Sequence, residues 1–103
     1  SRGGLLAFNK AIAIEFAKYN ITSNIISPGA VSSERFINLI KVAAKNEKKT
    51  IKKKISEIKK LIPANRIADP IEIANTASFL VSEKASYITG INLSVDGGFT
   101  KSY

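Results

Sequence analysis

Residues 22–31, Thr-Ser-Asn-Ile-Ile-Ser-Pro-Gly-Ala-Val, leave this chain few ways to fold. A short run with paired β-branched residues, Ile25-Ile26, meets Pro28-Gly29. Proline brings no N–H to a sheet ladder, and glycine tolerates backbone angles that other residues avoid. The run is therefore expected to be a strand over 22–27 that stops at the Pro-Gly corner, where the chain turns over the strand's carboxyl end. In open α/β sheets that edge is where ligands bind.

Hydrophobic periodicity supplies the flanking elements. Leu5, Phe8, Ile12, Phe16 and Tyr19 recur at spacings of three and four, which predicts a helix over 5–19. A second face carries Leu6, Ala7, Ala11, Ile14 and Ala17, with only Asn9, Lys10, Glu15 and Lys18 polar. A helix apolar around most of its circumference needs cover on more than one side. One cover would be the sheet; the other is a partner subunit or further parts of the same chain. Asn20 ends the helix, as a residue tolerant of the left-handed region. Beyond the corner, Ser32 or Ser33 can cap a helix with Glu34 in its first turn and Phe36, Ile40 and Ala43 inside. The pattern breaks near Asn46. It resumes as Ile51, Ile55, Ile58 and Ile62, with Lys52, Lys53, Lys54, Lys59 and Lys60 between them, and Pro63 closes it. Asp69-Pro70-Ile71-Glu72 starts the next helix: an Asp cap, Pro at the first helical position, Glu completing the box. Ile73, Ala74, Ala77, Leu80 and Val81 are expected inside. Residues 82–87 read as a loop. Ile91, Leu93 and Val95 then alternate with Asn92 and Ser94 as a strand that ends at Asp96-Gly97-Gly98, with 99–103 as a tail.

Two strands separated by helices predict a parallel pair joined by a right-handed crossover. Parallel strands need cover on both faces, which two strands and these helices do not supply alone. The expected fold class is α/β, the C-terminal part of a Rossmann-type doubly wound parallel sheet whose other strands lie on the N-terminal side. At 103 residues this is one domain at most. The opening Ser1-Arg2-Gly3-Gly4, running straight into a helical pattern, suggests a fragment.

The net charge of +8 invites a nucleic-acid reading. The excess is concentrated between Lys41 and Lys60 with no interleaved aromatics, which favours a solvated lysine face over a base-stacking platform. Cysteine is absent, which excludes disulfides and thiolate sites, and histidine is absent too, removing the commonest general base and metal ligand. Asp96 alone is too little for a metal site, so none is expected. With no apolar run of membrane-span length and no signal peptide, a cytoplasmic protein without membrane attachment is the expectation.

Several short motifs follow one another in a specific order. They are Asn24-Ile25-Ile26-Ser27-Pro28-Gly29, Ile62-Pro63-Ala64-Asn65-Arg66, Asp69-Pro70-Ile71-Glu72-Ile73-Ala74, Phe79-Leu80-Val81-Ser82, Tyr87-Ile88-Thr89-Gly90 and Val95-Asp96-Gly97-Gly98. In this order and spacing the whole chain resembles the C-terminal part of a short-chain dehydrogenase/reductase, most of all the bacterial 3-oxoacyl-acyl-carrier-protein reductase type. The resemblance implies a single NAD(P)-binding domain over 1–103, with 34–62 as a substrate lid that looks longer than in compact members. The family's catalytic Tyr and Lys sit four residues apart on one helix face. Arg2 falls on the Lys position, and the Tyr falls upstream of Ser1, as do the catalytic Ser and the Gly-rich turn. Placing the Lys at Lys10 would put Leu6 at the Tyr, so Arg2 is the match.

In the family the Tyr protonates the carbonyl oxygen as hydride arrives, while the Lys holds the nicotinamide ribose and lowers the Tyr pKa. The resemblance thus implies a catalytic and ribose-binding role for Arg2. It implies that Pro28 and Gly29 support the nicotinamide, that the Val31 backbone pairs with its carboxamide, and that Ser33 bonds near the carboxamide or a phosphate. Plain readings stand beside these: helix-start arginine for Arg2, packing for Val31, capping for Ser32 and Ser33. The implied cofactor is NADP or NAD, and the implied partners are a small-molecule or acyl-carrier carbonyl substrate and further copies in a homotetramer. The lid lysines could meet an acidic carrier. The fragment alone is expected to be inactive. A non-catalytic Rossmann-fold relative serving binding or assembly is the alternative, with a nucleic-acid binder behind both.

Overall fold

The computed structural model describes residues 2–100 and gives six regular elements there. They are α1 (Arg2–Phe16), β1 (Ile25–Pro28), α2 (Glu34–Asn46), α3 (Ile51–Leu61), α4 (Pro70–Leu80) and β2 (Asn92–Val95). Strands β1 and β2 pair in one two-stranded sheet. Ile25 N donates to Ile91 O at 2.9 Å and Gly29 N to Val95 O at 3.0 Å. Both strands advance four residues in the same direction between these bonds, so the pair is parallel.

That register also explains how Pro28 sits inside a strand. Residues of the parity of Ile25 and Gly29 donate toward β2, so the ring nitrogen of Pro28 points to the opposite edge and costs no ladder bond. The pairing therefore runs past Pro28, and β1 is both shorter and later than the expected span of 22–27.

The chain divides into two compact units, one of residues up to Ser27 with Ala74–Ser94, the other of Pro28–Ile73 with the residues from Val95 onward. In the first, α1 begins at Arg2, earlier than the expected start at Leu5, and tightens into a 3-10 turn at Ala17–Tyr19. Asn20 then adopts the left-handed conformation, with φ of 62°. Ala13 and Asn9 are the buried positions of α1, while Leu5, Phe8 and Ile14 stay exposed. The polar Asn9 is the surprise. Its amide donates to Ile91 O at 3.4 Å, and its oxygen accepts from Ser23 Oγ at 2.7 Å. Leu80 is buried as expected, but Ala74 and Val81 are exposed, Val81 at 86 %. This chain covers only one side of α4. Residues 82–87 contain a 3-10 turn, Glu83–Ala85, whose Ala85 is buried.

In the second unit, α2 and α3 pack as a pair, with Ile40 and Ala44 buried. Ala43, expected inside with Ile40, is half-buried. The break after Asn46 is made by Lys48 in the left-handed region, φ 56°, and α3 restarts on Thr50, whose hydroxyl accepts from Lys53 N at 3.0 Å. Ion pairs close the turn: Lys49 reaches Glu57 at 2.7 Å and Lys54 reaches Glu47 at 2.8 Å. Lys54 thus leaves the solvated face assigned to it, while Lys52, Lys53, Lys59 and Lys60 remain exposed.

The start of α4 has the expected cap. Asp69 Oδ1 accepts from Ile71 N at 3.0 Å, and Glu72 Oε2 accepts from Asp69 N at 2.8 Å. Arg66 adds a two-pronged bond to the Glu72 carboxylate, at 2.6 and 2.8 Å. First Arg66 and then the Asp69 amide hold the Glu72 carboxyl down at about 2. A carboxylate lowered in the folded state stabilises it above the unfolded pKa, and that contribution fades as pH falls from about 4.5 toward about 2. Glu72→Gln should therefore be less stable than wild type at pH 6, with the gap closing across that window and narrowing in high salt, as read by urea unfolding at each pH. A gap independent of pH would contradict the assignment.

Candidate functional site

The Pro-Gly corner belongs to the second unit and is held from three directions. Gly29 lies against the chain beyond β2: a Cβ there would stand 2.7 Å from Asp96 Cβ and 2.9 Å from Asp96 Cα. Only glycine fits, because of close approach and not because of its backbone angle. Asp96 is fixed in turn by its own bend. Its Oδ1 accepts from Gly98 N and its Oδ2 from Thr100 N, both at 3.0 Å. The Thr100 hydroxyl first, then the amides of Thr100 and Gly98, hold this carboxyl below its usual range. Gly97 and Gly98 take φ of 63° and 89°, and Ala64 N donates to Gly97 O at 2.9 Å. The Ile62-Pro63-Ala64 and Asp96-Gly97-Gly98 motifs thus form one clasp.

After the corner the chain makes a second, one-residue parallel pairing. Val31 bridges to Ala68, through Ala68 N to Ala30 O at 3.0 Å and Ser32 N to Ala68 O at 2.8 Å. In that pattern the bridging residue turns its own N–H and C=O away from its partner strand. Val31 O accepts from Ser33 N at 2.7 Å, and no hydrogen bond among the described residues uses the Val31 N–H. Ser33, not Ser32, caps α2, its Oγ accepting from Phe36 N at 3.2 Å. The capping oxygen acts as acceptor there, which leaves its hydroxyl hydrogen to donate elsewhere.

Pro28, Gly29, Val31 and Ser33 line one open depression of about 280 Å³. Arg35, Phe36 and Leu39 of α2 complete its wall. The structure so brings four of the five expected site residues together. Arg2, the fifth, belongs to the other unit. It is the first residue of α1 and exposed, and its Nη2 donates to Ser27 Oγ at 3.0 Å. Ser27 Oγ donates onward to Asn92 Oδ1 at 2.7 Å.

Three partners escaped sequence reasoning. Ser27 and Asn92 lie 65 residues apart, and no spacing rule links them. Asn24 was visible in its motif but without a role. Its amide donates to Ile88 O and its oxygen accepts from Ile91 N, both at 3.2 Å. With Thr89 Oγ1 accepting from Ser23 N at 3.0 Å, these bonds join the first motif to Tyr87-Ile88-Thr89-Gly90. The one signal is that Asn24 and Thr89 carry side chains able to replace backbone partners.

A strand ending in a Pro-Gly corner, a capped helix beyond it and a parallel partner strand define a Rossmann-type α/β protein. A family model described as enoyl-(acyl carrier protein) reductase matches residues 1–100. The NADPH-dependent reductase BacG of Bacillus subtilis is 38% identical over 98 residues, which are 95% of this chain and 38% of that protein. The 3-oxoacyl-[acyl-carrier-protein] reductase FabG of Buchnera aphidicola is 43% identical over 98 residues, 95% of this chain and 36% of its own. A solved short chain dehydrogenase family protein from Francisella tularensis superposes with a TM-score of 0.90 at 36% identity, over 97% of this chain and 41% of its own. The chain belongs to the short-chain dehydrogenase/reductase family. It spans about two fifths of the length of these relatives. Among the described residues no helix is long and apolar enough to cross a membrane.

Proposed function

We propose that residues 1–103 are the C-terminal part of one NAD(P)-binding domain in a reductase that adds hydride to a carbonyl, a 3-oxoacyl thioester or related ketone. The observation that carries this is the Val31 N–H, turned away from Ala68 in a bridge that fixes its direction. A backbone N–H beside a C=O complements a carboxamide edge, so the residues present fit a nicotinamide. NADP or NAD is the cofactor this implies, and the relative BacG is by name NADPH-dependent.

When bound, the dinucleotide would supply the hydride. The chain's own residues orient and stabilise. Val31 would hold the carboxamide through its N–H, which the bridge to Ala68 leaves turned outward. Ser33 donates its hydroxyl hydrogen to an acceptor nearby, while its oxygen keeps α2 capped. Pro28 and Gly29 form a rigid floor whose position is set by Asp96. Arg2, held by Ser27, holds the ribose and places a positive charge beside the phenolic acid that the family carries four residues earlier. That position lies outside residues 1–103, so the 103-residue chain alone is proposed to have no turnover. Residues 34–62 act as the lid. The exposed Leu5, Phe8 and Ile14 of α1 suit burial in a homotetramer.

The test is an assay of the intact protein with NADPH and with NADH, on an acetoacetyl thioester and on a simple ketone. Consumption of reduced cofactor matched by alcohol formed is the expected result. Dinucleotide binding without turnover on any carbonyl would favour the non-catalytic alternative, and absence of dinucleotide binding would overturn the reading.

A further inference from the structure

We propose that the first turns of α2 carry a subsite for an anionic group on an apolar arm, Arg35 taking the anion and Leu39 and Val42 the arm. This rests on reading residues 28–33 as the nicotinamide end of a reductase site. Residues 35, 39 and 42 follow the i, i+4, i+7 spacing and share one helix face. That face is not the packing face. Ile40 and Ala44 are buried at 2 % and 1 %, whereas Leu39 and Val42 are 56 % and 58 % exposed.

Two depressions meet on this strip. Arg35 and Leu39 line the one formed by Pro28, Gly29, Val31 and Ser33. They also line a second of about 470 Å³, whose other walls are Glu34, Asn38 and Val42. It is shallow and widely open to solvent, so it would grip one side of a small ligand and not enclose it. A compound seated on Val42 and Leu39 would therefore extend toward Val31 past the Arg35 guanidinium.

Charge selects the occupant. Lys49, Lys54 and Arg66 of this unit are held in ion pairs with Glu57, Glu47 and Glu72, and among the cations without one Arg35 is the one that lines both depressions. The Arg35 side chain has no ion pair or hydrogen bond among the described residues. Glu34 lies beside it in sequence, at the helix N-terminus where the dipole favours a carboxylate. A guanidinium fork matches carboxylate and phosphate oxygens in pairs. The dinucleotide's phosphates share that chemistry. The apolar Leu39 and Val42, continuing from Arg35 into the second depression, favour the substrate as the source.

The test is isothermal titration of the intact protein, with and without NADP+, using 4-methyl-2-oxopentanoate, its uncharged methyl ester, and pyruvate as the acid without the arm. Wild type should bind the acid about tenfold more tightly than the ester, the scale of one charge-assisted hydrogen bond. Arg35→Ala should abolish the preference, and Arg35→Lys should keep part of it. Leu39→Ser should weaken 4-methyl-2-oxopentanoate more than pyruvate. Equal affinity for acid and ester in wild type, no binding of the acid, or a preference that survives Arg35→Ala would overturn the proposal. So would a loss of NADP+ affinity in Arg35→Ala with the acid preference intact, which would assign the cation to the cofactor phosphates. Turnover with NADPH, measured on the same samples, bears on the reductase reading alone. A binding preference without turnover would keep the subsite and remove the reaction.

Discussion

Replacing Arg2 by alanine in the intact protein is expected to lower kcat/KM for carbonyl reduction by about 100-fold or more, the usual cost of losing one preorganised cationic donor at a reacting centre. The side chain is not a free surface group: its guanidinium is tied to Ser27, which is tied to Asn92. That chain fixes a long, flexible residue at the head of α1 without burying it. A plain helix-start arginine would need no such tether, and its removal would leave kinetics within about twofold. Arg2→Lys separates charge from shape, because lysine returns a point charge without the planar fork. It should recover most of kcat. If the fork to Ser27 sets the position, KM for the dinucleotide should stay raised in the lysine variant. An unchanged kcat/KM in Arg2→Ala would return Arg2 to the surface.

Gly29→Ala should cost about 3 kcal/mol of folding stability, read from the urea midpoint of the intact protein at constant m-value. The added carbon would stand 2.7 Å from one carbon of Asp96 and 2.9 Å from another, and the second is backbone. Neither side can retreat cheaply. Gly29 N is bonded to Val95 O, and Asp96 is bonded to Gly98, Phe99 and Thr100. Gly3→Ala is the control. It sits in α1 with nothing within 4 Å of the added carbon, and should gain about 0.5–1 kcal/mol from helix propensity. Opposite signs at two glycines would show that contact at the corner decides the effect, not glycine content.

How much of this was legible in the sequence depends on the range of the interaction. The Asp69 and Glu72 cap is legible because its partners lie within three residues; the α2 cap narrows in sequence only to Ser32 or Ser33, and the Thr50 cap of α3 is not among the expectations. The last strand is legible from strict alternation over 91–95, of which Asn92–Val95 forms β2. The corner was legible as a corner, but the expectation that Pro28 ends the pairing failed. Proline removes a donor only from the edge its nitrogen faces, and that parity is set by the partner strand. Periodicity marks Asn9 only as one of four polar residues on α1, and says nothing of its burial or of its amide serving Ser23 and Ile91. Ala74 and Val81 are expected inside but stand exposed, because this chain covers one side of an α4 that is apolar on several. Of the site, Pro28, Gly29, Val31 and Ser33 could be named from the resemblance. That they share one depression, and that Arg35 and Leu39 share it too, required coordinates.

The claim under all of this is that the Val31 amide faces a nicotinamide. Backbone amide shifts of the intact protein, titrated with NADP+ and separately with 2′-phospho-ADP-ribose, which lacks the nicotinamide, test it directly. The Val31 and Ser33 amides should move with the first ligand and stay in place with the second. Equal movement with both ligands, or none with either while the ligand is bound, would contradict it.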